Sequence, residues 1–246
     1  MNMIKDYLQD LVDHINALGN VQYVKLVGDK KETKFFAIAE DNSVVINGKF
    51  RKPASEFMGT FGIPNLAKLN VILGIPEYDE DSVINVETQK KGEDTIPVCL
   101  HFANKGGDFK NDYRFMSTEV INEKLKSVKF KGVEWDVDVA PSIASINKFK
   151  FQSQANNDEP LFTAKTENKN LVFHFGDVSS YAGNFVFEPK VSGTLNKGFA
   201  WPVAPVICIL NLVGDKVMQF SNQGALLITV DSGTALYEYI LPAQSK

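Results

Sequence analysis

Residues 199–243 read FAWPVAPVICILNLVGDKVMQFSNQGALLITVDSGTALYEYILPA. An apolar run of helix length, with Val206, Ile207, Ile209, Leu210, Leu212 and Val213, ends at Gly214. Three short β-type segments follow, divided at 221–224 and 231–233. This is the pattern of a helix that feeds a three-stranded meander.

The same order stands earlier in the chain. FGIPNLAKLNVILG at 61–74 precedes strand-like segments at 84–88, 97–102 and 113–115, with turn signals at 90–94 and 105–108. An aromatic residue, two further residues, proline, a short apolar helix, glycine and three strands are thus written twice, about 140 residues apart. Two copies at that spacing imply a tandem of two similar domains rather than a solenoid.

At 246 residues the chain is long enough for two cores, and 44% hydrophobic with 23% charged residues is ordinary globular composition. No apolar run reaches the roughly 18 residues of a membrane span. The N-terminal MNMIKDYLQD carries an aspartate where a secretory leader would be continuously apolar, so an intracellular location and no membrane partner are expected. The net charge of -4 excludes a surface coated in positive charge but leaves room for a local basic surface. Cys99 and Cys208 sit in apolar runs without CxxC spacing, and the expectation is two buried structural thiols, no metal and no cofactor.

Working outward, Ile4, Tyr7, Leu8, Leu11, Val12, Ile15 and Leu18 form a helical stripe that Gly19 stops. Its other face, with Lys5, Asp6, Gln9, Asp10, Asp13 and His14, reads as solvated. Strands are expected at 23–27, 34–39, 43–46 and 57–61, with Asn47-Gly48 as a hairpin turn. Asn65 caps a second helix that turns Leu66, Leu69, Ile72 and Leu73 inward. The first domain thus repeats one smaller unit, helix then strands. Ser117 or Thr118 opens a further helix by a capping box, and the lysine-rich stretch 124–132 reads as a connector holding Val128 and Phe130. The domain limits are therefore 1–123 and 133–246. In the second domain Trp135, Val137 and Val139 alternate, a helix runs from Pro141 to about Ala155, and strands are expected at 161–164, 171–175, 184–187 and 190–193.

Catalytic motifs are missing from the sequence. His14, His101 and His174 have no HExxH-like spacing, and GxxxxGK[ST], GxGxxG and GxSxG do not occur. Glu77, Asp79, Glu80 and Asp81 lack calcium-loop spacing and read as a solvated loop. No enzyme is indicated, although scattered residues can still assemble a site.

The duplicated helix-then-strand units and the ending Tyr237-Glu238-Tyr239-Ile240-Leu241-Pro242-Ala243 resemble the DNA polymerase sliding clamps, those of T4-type bacteriophages and proliferating cell nuclear antigen (PCNA). The resemblance implies an α+β fold of two tandem clamp domains. It also implies a homotrimeric ring with helices inside and sheets outside, acting in DNA replication as a processivity factor. Its partners would be double-stranded DNA, held by sequence-independent phosphate contacts, a DNA polymerase and a clamp loader. Lining helices correspond to 4–18, 65–73, 142–155 and 203–213, each expected to bury one apolar face, with Lys5, Lys68, Lys148 and Lys150 on them and Lys34, Lys49, Arg51 and Lys52 from strand ends. Val128, Phe130, Tyr239, Leu241 and Pro242 match the pocket in which such clamps hold partner peptides. Lining helices of that family are usually basic, whereas the first helix here carries Asp6, Asp10 and Asp13 and the fourth almost no charge. A non-enzymatic structural or virion-assembly protein of two β-rich domains is the competing reading, and a closed ring in native mass spectrometry separates the two.

Overall fold

The computed structural model describes residues 3–92, 94–125, 132–177 and 181–244. The chain divides into two compact units, Met1–Val128 with Ser232–Tyr237, and Lys129–Asp231 with Glu238–Lys246.

In the first unit, helix α1 (Met3–Ile15) buries Tyr7, Leu8, Leu11, Val12 and Ile15, and runs into a 3-10 turn at Asn16–Leu18. Gly19, at φ 76°, closes it in the left-handed conformation that glycine adopts without strain. Strands β1 (Tyr23–Gly28), β2 (Thr33–Ile38), β3 (Val45–Phe50) and β4 (Gly59–Pro64) pair in the order β4-β1-β2-β3. Helix α2 (Leu66–Leu73) starts where the Asn65 side chain accepts the Lys68 N–H, and it buries Leu66, Leu69, Ile72 and Leu73, as the sequence predicts. A second sheet, β5 (Val83–Lys91), β6 (Asp94–Ala103) and β7 (Lys110–Arg114), follows in that order. Ser117 then caps α3 (Thr118–Lys124).

In the second unit, β8 (Val137–Val139) leads into α4 (Ile143–Ala155), whose Ser142 cap accepts the Ser145 N–H. Strands β9 (Leu161–Glu167), β10 (Asn170–Gly176), β11 (Ala182–Glu188) and β12 (Phe199–Pro202) form a sheet ordered β11-β10-β9-β12. Helix α5 (Val203–Asn211) and strands β13 (Asp215–Ser221), β14 (Ala225–Asp231) and β15 (Ala235–Pro242) complete the unit, β8 pairing with β13 and β13 with β14. The first residues of β15 belong to the first unit, where Thr234 O accepts the Arg51 N–H at 2.8 Å.

The duplication extends to individual residue pairs. The two aromatic-X-X-proline segments are strands, and Pro64 pairs with Tyr23 as Pro202 pairs with Leu161. The second residue of each segment makes an isolated bridge to chain that follows a meander, Gly62 to Met116 and Ala200 to Gln244.

Four expectations are corrected. Asn47-Gly48 is no turn: both lie inside β3, paired with Phe36 and Phe35, and the chain reverses ahead of that strand at another turn signal, Asp41-Asn42, with Asn42 at φ 57°. Gly48 is required for a different reason, since a Cβ there would stand 2.2 Å from the Phe35 ring and 2.7 Å from Leu236 O. Residues 190–193 form no strand, because Lys190 (φ 55°) and Gly193 (φ 89°) are left-handed; the strand that closes this sheet is β12. Helix α4 does not bury a broad apolar face as expected: Ile143 is 80% exposed, and only Ser145 and Phe149 are buried. Phe149 suffices because its ring meets those of Phe162, Phe173 and Phe175 at centroid distances of 4.9, 5.3 and 6.0 Å. Finally, the polar face of α1 is not all solvated. His14 is buried, its ring stacked on Tyr237 at 4.5 Å.

Among the described residues, no helix is long and apolar enough to cross a membrane.

Candidate nucleic-acid interface

An interface for duplex DNA that ignores sequence needs cations on flexible stems, displayed on rigid elements and free of carboxylate partners. Within each unit two helices pack together, α1 with α2 and α4 with α5. Their outward faces differ in charge. On α1 the exposed residues include Asp6 and Asp13, the latter accepting from Gln9 at 2.8 Å. Lys5, half-buried, donates to the carbonyl of Tyr78. On α2, Ala67, Lys68, Asn70 and Val71 are exposed. On α4 the exposed stripe is Ala144, Asn147, Lys148, Phe151 and Gln154, with Lys150 half-buried at its margin. On α5, Ala204 and Asn211 are exposed and no charge is offered.

The strand-end cations gather in one place. Lys34 and Lys49 are register partners on β2 and β3, so their like charges face one another, and Arg51 and Lys52 follow immediately. Lys34 relieves this by pairing with Glu32. Arg51 and Lys52 line a groove of about 260 Å³ with Met3, Asp6, Tyr7, Gly233 and Thr234, which sets the acidic start of α1 beside two basic side chains.

Of the residues matched to a partner-peptide pocket, Val128 and Phe130 lie outside the described residues. Tyr239 and Leu241 are fully buried, and Pro242 is exposed. Pro242 is therefore the one of the three C-terminal positions that meets solvent.

No family model matches the sequence, and no curated protein sequence matches it. Solved structures do. A PCNA from A. fulgidus, in a structure described as the C-terminal region of FEN-1 bound to that PCNA, is 12% identical, with a TM-score of 0.67 over 98% of this chain and 96% of its own. PCNA from Thermococcus kodakaraensis is 12% identical, with a TM-score of 0.66 over 98% of this chain and 97% of its own. The chain has the sliding-clamp fold.

Within that fold, two polar clusters escaped the sequence reading. In the first unit the Asp10 carboxylate accepts from Tyr237 Oη at 2.6 Å and from Ser232 Oγ at 3.1 Å, and the Asp10 carbonyl lies 2.8 Å from His14 Nδ1. Only the i, i+4 spacing of Asp10 and His14 signalled it; the partners from 232–237 are too distant in sequence to infer. The second cluster lies on the outer face of β5-β6-β7. Cys99 and His101 are two apart on β6 and so share a face, with Glu87 and Arg114 beside Cys99 and Asp112 beside His101. The period-two spacing of Cys99 and His101 is the sequence signal for this pairing. Cys99 is buried as expected, while Cys208 is only partly so. The Asp112 carboxylate on Nδ1 raises the His101 imidazole above its ordinary range, partial desolvation opposing and Glu87 adding. Burial and then Asp112 push the Cys99 thiol up.

The acidic run remains a surface loop: Glu77, Asp79, Glu80 and Asp81 are exposed, and Asp81 pairs with Lys105 at 2.7 Å.

Proposed function

We propose that this chain is the subunit of a sliding clamp in which three copies close around duplex DNA, helices inward and sheets outward, and tether a DNA polymerase for processive synthesis. The subunit comprises clamp domains 1–123 and 133–246 joined by the connector 124–132. It acts inside the cell, opened and closed on DNA by a clamp loader, and it holds DNA by topology rather than by catalysis.

The observation that carries this reading is the arrangement of third strands. Four helix-and-strand units end in β3, β7, β11 and β15, and β3 neighbours the first residues of β15 within the first compact unit. The equivalent strands β7 and β11 stand at the ends of their sheets. Pairing β7 of one copy with β11 of the next repeats the β3 and β15 relationship, removes two open edges, and closes when the rotation closes. The A. fulgidus PCNA is bound by the C-terminal region of FEN-1, which supports partner docking by terminal segments. Here such segments would dock at Val128, Phe130 and Pro242, since Tyr239 and Leu241 are buried.

Native mass spectrometry tests the assembly, with an expected species at three times the 27.3 kDa chain. A strict monomer at micromolar concentration, with and without primed DNA and loader, overturns it.

A further inference from the structure

We propose that the outer face of β5-β6-β7 binds a zinc-class transition metal through Cys99 Sγ, His101 Nε2 and Glu87, with Asp112 holding the imidazole in place. The ligand atoms of Glu87, Cys99 and His101 all lie within 4.8 Å of one another. Thiolate, imidazole and carboxylate together are the donor set of zinc, and three protein donors leave a fourth tetrahedral position for water.

The geometry around His101 points to a cation. Its Nδ1 meets Asp112 Oδ1, so in the neutral ring the proton sits on that side and the Nε2 lone pair is directed toward Glu87 Oε2, 3.2 Å away. Two lone pairs facing each other repel unless a proton or a metal lies between them. Two ligands bonded to tetrahedral zinc at about 2.0–2.1 Å stand about 3.3 Å apart, so the nitrogen and oxygen already have the spacing of one tetrahedral edge. Asp112 then occupies the outer position of a carboxylate-histidine-metal arrangement, which fixes tautomer and ring orientation. Charge supports the same assignment. Thiolate, Glu87 and Asp112 contribute three negative charges, Arg114 returns one positive charge, and a divalent ion makes the face neutral. Cys99 loses its thiol proton to solvent on ligation, with no redox step. The backbone favours the set as well, because a bulge between Glu87 and Thr88 brings Glu87 opposite Cys99.

Cobalt(II) chloride and zinc sulfate, added to the tag-free full chain under reducing conditions, test this directly. One equivalent of cobalt should bind with a thiolate charge-transfer band and visible tetrahedral bands, both removed by one equivalent of zinc. Cys99→Ser should remove the charge-transfer band, Asp112→Asn should weaken binding about 10- to 100-fold, and Cys208→Ser should change neither. Glu87→Gln, at an exposed position that the fold tolerates, should weaken zinc at least about tenfold in competition with a chromophoric chelator. Loss of the band on Cys208→Ser, unchanged affinity of Glu87→Gln, or no stoichiometric binding by the parent overturns the site; the last result leaves a proton as the sole bridge between His101 and Glu87.

Discussion

Tyr237 donates a hydrogen bond of 2.6 Å from its phenol to the Asp10 carboxylate, across a sequence separation of 227 residues. The bond ties helix α1 to the first residues of β15 in a half-buried setting, where Asp10 retains 13% side-chain exposure. A bond to a charged acceptor is worth more than a neutral one, and its loss leaves the carboxylate with the Ser232 hydroxyl. Tyr237→Phe, which keeps the ring stacked on His14, should lower unfolding free energy by about 1–2 kcal/mol in urea titration. An unchanged midpoint would mean that water replaces the phenol at no cost.

Gly48 gives a second test, of packing rather than polarity. Because a Cβ would meet the Phe35 ring and the Leu236 carbonyl at once, Gly48→Ala forces movement of a buried aromatic or of the strand backbone. Overpacking of this kind costs about 1–3 kcal/mol. If Asn47-Gly48 were an exposed hairpin turn, the same change would act mainly on backbone conformation and leave Phe35 untouched. Thermal melts with near-ultraviolet circular dichroism distinguish the two, since only overpacking disturbs the aromatic environment.

Legibility followed periodicity. The three strands after α5 and the stripes of α1 and α2 were readable because one face of each is uniformly apolar and turn residues bound them. Dipeptide turn chemistry failed at Asn47-Gly48, where tertiary approach by Phe35 rather than a turn selects glycine. Periodicity failed on α4, where Ile143 and Phe151 are 80% and 68% exposed and the helix is held by Phe149. The basic helix positions could be placed on their elements from sequence, but burial of Tyr239 and Leu241 could not be separated from an open pocket. Knowing which apolar strand residues face inward requires the neighbouring sheet.

Phe149 should therefore carry most of the attachment of α4. Phe149→Ala should cost about 3–5 kcal/mol, the range for emptying a large aromatic site. Phe151→Ser, two positions on, should change stability by less than about 0.5 kcal/mol. Comparable losses from both variants in denaturant titration would mean that the exposed stripe of α4 is packed in the assembled protein.

Asp136 supplies the pH test. Its carboxylate accepts the Asn222 N–H at 2.7 Å, and this backbone bond, with help from the Asn222 side chain, lowers its pKa below the usual carboxylate value. A depressed folded-state pKa means that the stabilisation is present above the unfolded value near 3.9 and is lost as pH falls through the folded value. The parent should thus exceed Asp136→Asn in stability by a constant margin from neutral pH to about 5, and the margin should shrink below about 4. A margin that vanishes nearer neutrality would assign the effect to another group.

The last prediction concerns DNA. A clamp that slides must make contacts that are numerous, weak and directed at phosphates, and lysines suit this because each can release one phosphate and take the next with little rearrangement. Lys68 and Lys148 are exposed on α2 and α4, and Lys150 sits at the margin of the same α4 stripe. Lys5 is committed to the Tyr78 carbonyl and Lys34 to Glu32, so these two should matter less. In the proposed trimer three lysines per chain would become nine, against the exposed Asp6 and Asp13 of each α1, so a chain whose net charge is -4 could still present a locally positive wall. The variant Lys68→Glu, Lys148→Glu, Lys150→Glu should retain the assembly state of the parent in native mass spectrometry. It should also shorten products of primer extension by the cognate polymerase, with the deficit largest at low salt and narrowing as salt rises, because the parent contacts more phosphates and therefore loses more affinity to counterion competition. Lys5→Glu alone should behave close to the parent if it folds. Equal product lengths for the triple variant and the parent across the salt series would mean that these helix faces do not meet DNA, and the cations at the β2–β3 end, Lys49, Arg51 and Lys52, would then be the surface to replace.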